Sequence, residues 1–139
     1  MQKTATLTNP LDLELVWVNG ITQPHEATDE DHRKALTAAM DRDGWVGAPI
    51  VASRYLNAYN QDRAYTGSHR IEAWSWTDEG DAGAPLPCVF IEDIAQACGI
   101  DWDELMDEHG GDDWEAAEAL AYKVPTDIHD AYGLDIGGA

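Results

Sequence analysis

The sequence predicts an α+β fold, a compact mixed-sheet domain carrying an acidic helical C-terminal region. Segments with strand character at 11–18 (LDLELVWV), 45–53 (WVGAPIVAS) and 88–92 (CVFIE) alternate with helix-patterned stretches. An apolar share of 44% over 139 residues is enough for one hydrophobic core. Beyond residue 93 the strand signals stop, and short helical patterns are separated by Gly99, Gly110-Gly111 and Pro125. The expected organisation is a domain over 1–93 and an acidic helical extension over 94–139 packed on it.

Each element has a local reason. LDLELVWV alternates and then turns apolar, and Asn19-Gly20 reads as the turn that ends it. Thr28 is the expected N-cap of a helix over DEDHRKALTAAMDRDG, with acids in its first turn and Gly44 as terminator. Pro49 suits the entry to a strand that Ile50 and Val51 favour. RYLNAYNQD reads as a loop, and Arg63, Ala64 and Tyr65 as a short strand. After Gly67 the pattern is helical and is expected to stop near Gly80, with GDAGAPLP as a connection. CVFIE is the strongest strand, and Asp93 is placed to cap the next helix. IAQAC, DWDELMDEH, DWEAAEALAYKV and TDIHDAYGL are the C-terminal helices, and GLDIGGA is expected to fray.

Charge divides the chain. Residues 1–76 hold 7 basic and 10 acidic side chains, whereas 77–139 hold 1 and 17. Binding to a phosphate backbone needs clustered Lys and Arg, and no such cluster exists here. A strongly negative half fits a basic protein partner, mimicry of nucleic-acid charge, or plain solubility. Cys88 lies in an apolar run and reads as a buried, inert thiol, while Cys98 falls at a helix end. MQKTATLTNP lacks the apolar centre of a signal peptide, and no apolar run is long enough to cross a bilayer. A cytoplasmic protein with no membrane partner is the expectation.

The chemistry-bearing stretch is YTGSHRIEAW, 65–74. A glycine before a helix supplies backbone angles closed to other residues and lets an anion approach the unpaired N–H groups of the first turn. Thr66 and Ser68 can bind a phosphate oxygen or cap the helix, Arg70 can grip an oxyanion, and His69 can donate a hydrogen bond or move a proton. A tight turn with Arg70 paired to Glu72 or another acid explains the same residues without a ligand. The spacing matches neither a P-loop nor a dinucleotide fingerprint.

DGWVGAPIV followed by YTGSHRIEAW resembles the ParB/sulfiredoxin-like superfamily, whose members share a glycine-(x)-(His or Arg)-Arg motif at a helix start. The resemblance spans roughly residues 11 to 93, including LVWVNGITQPHEATDEDHRKAL and PLPCVFIED, and leaves the acidic helices unaccounted for. It implies that Thr66, Gly67, Ser68, His69 and Arg70 cradle the phosphates of a nucleoside triphosphate or diphosphate; the abundant carboxylates could bind Mg²⁺ with it, though in no fixed cage. It also implies nucleotide hydrolysis or phosphoryl transfer, with His69, Arg70 and Glu26 as catalytic groups, in a protein of phage or mobile-element type. Ser68 stands where sulfiredoxins need cysteine, so sulfinic-acid reduction is not expected. Residues 94 to 139 contain no Arg and no Asn and lack a basic helix-turn-helix, so neither the second nucleotide motif nor the DNA-loading role of partition proteins is expected. The alternative is a non-enzymatic phage-type protein whose acidic C-terminal surface binds a basic host DNA-binding protein, with Trp102 or Trp114 as apolar anchor.

With 17 acids against one base over 77–139, the chain should leave duplex DNA unshifted in a gel at ~0.1 M salt. A clear shift there would reveal a basic surface that the linear charge count misses.

Overall fold

The computed structural model describes residues 7–21, 29–54 and 64–136. Within them lie three strands, β1 (Val16–Val18), β2 (Ile50–Ala52) and β3 (Leu86–Phe90). Seven helices accompany them: α1 (Glu30–Asp43), α2 (Ser68–Ser75), α3 (Asp78–Asp81), α4 (Ile91–Ala97), α5 (Trp102–Glu108), α6 (Asp113–Lys123) and α7 (Thr126–Tyr132). The fold is α+β, as the alternation of patterns predicts. Among these residues no helix is long and apolar enough to cross a membrane.

The sheet is mixed, in the order β1-β3-β2. β1 runs antiparallel to β3, with Val16 opposite Cys88, and β2 runs parallel to it, with Ile50 opposite that same Cys88. A parallel pair needs a crossover, which the chain between β2 and β3 provides with α2 and α3. Alternation along the strands then divides the interior. Ile50, Ala52, Leu86 and Cys88 face a cluster with Met40, Trp45, Ile71 and Trp74, while Val51 and Val89 face one with Ile94, Trp102, Leu105, Leu120 and Tyr132. The acidic helices therefore complete the core on one side of the sheet. Each large apolar side chain buried there contributes about 1.5–3 kcal/mol. The Tyr132 hydroxyl ties α7 to the start of the chain, donating to Asn9 Oδ1 at 2.6 Å and accepting from Leu11 N–H at 3.2 Å.

Several boundaries differ from the sequence expectation. Only Val16–Val18 of the 11–18 segment is strand. Leu11, Leu13 and Leu15 do pack inward, but the Asn9 side chain holds both the N–H and the carbonyl of Leu13 in place of a neighbouring strand. Asp29 caps α1 by accepting from His32 N–H at 3.0 Å, and Thr28 lies outside the described residues. Ala64 and Tyr65 form no strand, although Tyr65 N–H donates to the Val51 carbonyl at 2.7 Å. Arg63 is outside the described residues.

α2 stops at Ser75 rather than near Gly80, because Thr77 makes a corner there. Its hydroxyl donates to the Trp74 carbonyl at 2.6 Å and accepts from Gly80 N–H at 2.9 Å, closing one helix and capping the next. Phe90, not Asp93, occupies the N-cap position of α4, and Glu92 and Asp93 sit in its first turn. In the C-terminal GLDIGGA, Leu134 is buried in the core behind a left-handed Gly133, so that part does not fray. Residues 137–139 are outside the described set.

The Thr77 corner leaves no room at Gly80, where an added Cβ would lie 1.9 Å from the Trp74 carbonyl oxygen. The obstacle is backbone and cannot rotate away. Gly80→Ala should lower stability by roughly 1–3 kcal/mol, read as the midpoint shift in chemical denaturation. An unchanged midpoint would mean the corner opens without cost.

Candidate functional site

The candidate site is the junction of the 64–67 segment with α2. Gly67 adopts φ +89°, in the left-handed region, and sits in the N-cap position without a side-chain cap. A Cβ there would lie 2.8 Å from Ile50 Cγ2, so both the backbone angle and the fit against β2 demand glycine. The first helical bond runs from Ile71 N–H to the Gly67 carbonyl at 2.8 Å. The N–H groups of His69 and Arg70 consequently have no acceptor within the helix.

The polar side chains are placed differently from one another. Thr66 is buried, and its hydroxyl accepts from Val51 N–H at 2.9 Å, fixing the loop to β2. Ser68 is likewise buried and engaged within the protein. His69 is half-buried on the α1 side, where its ring meets the His32 ring edge-on with centroids 4.9 Å apart. Its Nδ1 is buried and has no hydrogen-bond partner. Glu26 lies outside the described residues.

Arg70 turns back from the helix into a slot made by the 45–48 segment. Its guanidinium donates to the Ala48 carbonyl and lies 5.4 Å from the Trp45 ring centroid. The Trp45 indole N–H donates to that same Ala48 carbonyl at 2.9 Å. Gly47, at φ +80°, forms the slot wall: a Cβ on it would lie 3.4 Å from Arg70 Nη1. Among the described residues no carboxylate pairs with Arg70, and Glu72 is no exception. Burial without a counter-charge pulls its pKa down to about 10. A guanidinium has five N–H donors, and among the described residues the Ala48 carbonyl is the one acceptor Arg70 meets, so most of its donors face elsewhere.

Sequence reasoning misses the slot. In sequence WVGAP reads only as a strand entry, although its two inflexible features, Gly47 and the Trp45 ring, shape the space that Arg70 occupies. It also misses a polar network beyond the C-terminal ends of β2 and β3. There the Tyr65 hydroxyl donates to Asp113 at 2.6 Å, and Ser53 Oγ donates to Glu92 at 2.9 Å. Glu92 also accepts from Arg54 N–H at 2.9 Å, and the Arg54 side chain pairs with Asp93. Partners 39 and 48 residues apart carry no local signal. Among the described residues, no group of three or more His, Cys, Asp or Glu side chains is arranged to hold a metal ion.

Compared with protein-family models, curated proteins and solved structures, the chain matches none of them.

Cys88 is fully buried beneath this site, and burial pushes its thiol from about 9 up to about 12. Below pH 9 both folded and unfolded chains keep the proton, so this thiol adds no pH dependence. Between 9 and 12 the unfolded chain releases it first, so stability falls as pH rises and levels off past 12. Cys88→Ala should remove its share of that decline, which begins at pH ~9 in denaturation curves, while Cys98 from the same pH and Tyr65 and Tyr132 above ~10, all raised by burial, keep stability falling. An unaltered slope would show that the thiol ionises equally in both states.

Proposed function

We propose that this chain is a cytoplasmic nucleotide-binding protein of ParB/sulfiredoxin-like type, of phage or mobile-element character. The phosphates sit against Gly67 and the first turn of α2. One observation carries the reading: in a chain of net charge -19, Arg70 is half-buried beside a helix N-terminus with no carboxylate partner among the described residues. An uncompensated guanidinium is costly, and a phosphate oxyanion would supply the missing charge. Left-handed Gly67 makes the turn that opens α2, and the N–H groups of His69 and Arg70 add donors.

His69 would donate to a phosphate oxygen or carry a proton, and Glu26 would complete an acid–base pair. Thr66 and Ser68 act from beneath, by holding the loop in place. The reaction class this serves is nucleotide hydrolysis or phosphoryl transfer, in which positioned donors stabilise charge on the transferred group. Mg²⁺ would enter with the nucleotide, held chiefly by phosphate oxygens and water.

A second reading concerns the acidic half as a surface for a basic host protein. It is favoured by the exposure of Asp103, Glu104, Asp107 and Glu108 on α5 and of Glu115 and Glu118 on α6. Trp102 is buried and Trp114 packs on Tyr65 at 5.7 Å, so neither supplies the expected anchor. Asp113 is internal, bonded to Tyr65.

Calorimetric titration with ATP, CTP and ADP, with and without Mg²⁺, is the test. At least one nucleotide should bind, and Arg70→Ala should weaken it by tenfold or more, a charge-assisted contact being worth about 1.5–3 kcal/mol. Arg70→Lys, which keeps the charge but not the fork, should fall between. Equal affinities for folded wild type and Arg70→Ala would overturn the assignment, as would failure of all three nucleotides to bind.

A further inference from the structure

At the far end of α2 the surface carries a different chemistry. Trp76 directly succeeds the helix and is 62% exposed. It forms one wall of an open cleft of about 420 Å³ whose other lining residues are Ser75, Thr77, Asp78 and Asp81. The Thr77 hydroxyl is committed to the corner between α2 and α3. The Asp78 and Asp81 side chains are not: among the described residues neither forms an ion pair. Both belong to α3, which follows the Thr77 corner directly.

The protein already shows the kind of group this ring accepts. The Arg33 guanidinium from α1 lies over Trp76, 4.1 Å from the ring centroid. That contact covers part of the indole, and the residue still keeps 62% of its surface open. Cations over indole faces are attracted by the ring quadrupole, and Trp is the strongest aromatic partner. An aromatic wall beside two unpaired carboxylates is complementary to a cation on an apolar stem.

We propose that the Trp76–Asp78–Asp81 cleft is a docking site for an arginine- or lysine-bearing segment of a basic partner protein. One incoming cationic side chain stacks on the open indole surface, and its charged head lies between the two carboxylates. The site is separate from the phosphate-binding reading at Gly67 and from the exposed acids of α5 and α6, and it depends on neither.

The probe is an oligo-arginine peptide, titrated at ~0.15 M salt, where attraction beyond about 8 Å is screened. Binding is monitored by calorimetry and by the Trp76 indole N–H resonance. Trp76→Ala and the pair Asp78→Asn/Asp81→Asn should each weaken binding about tenfold. The pair Asp12→Asn/Glu14→Gln, exposed ahead of β1, removes equal charge elsewhere and should change it less than twofold. The Trp76 resonance should shift with saturation. Equal losses in all three variants would mean delocalised attraction to an acidic surface and overturn the proposal, as would no binding. A concentration-dependent dimer that Trp76→Ala dissolves would make a second copy the occupant and overturn it also. Melting curves accompany each variant. If Trp76→Ala proves unfolded, the Asp78/Asp81 pair against its Asp12/Glu14 control decides.

Discussion

The central strand β3 is flanked on both sides, and both of its faces are buried. Cys88 stands opposite Val16 on one neighbour and Ile50 on the other, so a single residue fixes the register of the whole sheet. Because side chains alternate, shifting β3 by one residue would exchange Cys88 with Val89 and send each into the wrong cluster. The layer of α1 and α2 and the layer of C-terminal helices are therefore positioned by the same few residues. β1 and β2 have three residues each, too few to be stable alone. The sheet is held by its packed helices as much as the reverse.

That arrangement explains where the charged groups lie. Apart from Asp113, the acidic side chains of α5 and α6 face outward because the opposite sides of those helices, with Leu105, Met106, Ala117 and Leu120, close over Val51 and Val89. Tyr65 with Asp113 and Ser53 with Glu92 are bonded where they enter the interior, whereas His69 Nδ1 and the Trp102 indole N–H are buried without a partner. Such pairs offset the desolvation that burial imposes. Arg70 breaks the pattern by having a carbonyl where a carboxylate would be expected in so acidic a chain.

Much of the fold is legible in the sequence because its signals are local. The acidic start of α1 and glycines at or just past helix ends, Gly44 and Gly99, are read directly, although the cap of α1 is Asp29 and not the expected Thr28, and Asp101 and Asp112 cap α5 and α6 through N–H groups three residues on. The helix after Gly67 and the burial of Cys88 are legible for the same reason, one from a glycine and the other from an apolar run. The corner at Thr77 is not, because it depends on a hydroxyl serving two helices at once. At the candidate site, the sequence picks out the Gly67–Arg70 stretch but not the direction Arg70 takes. That direction depends on Gly47 and Ala48, more than twenty residues upstream. The exposure of Trp76 beside the burial of Trp45 and Trp74 is equally hidden, since all three occur in similar mixed contexts.

The bond from Tyr132 to Asn9 joins residues 123 positions apart. During synthesis, the strand residues emerge ahead of the C-terminal helices, so Val51 and Val89 at first lack the helices that cover them. A nascent chain in that condition presents apolar surface and unpaired strand edge together, the combination that invites chaperones or self-association. The many carboxylates of the later helices enter the chain after that point, and they would keep the growing polypeptides apart until Tyr132 and Leu134 close the core.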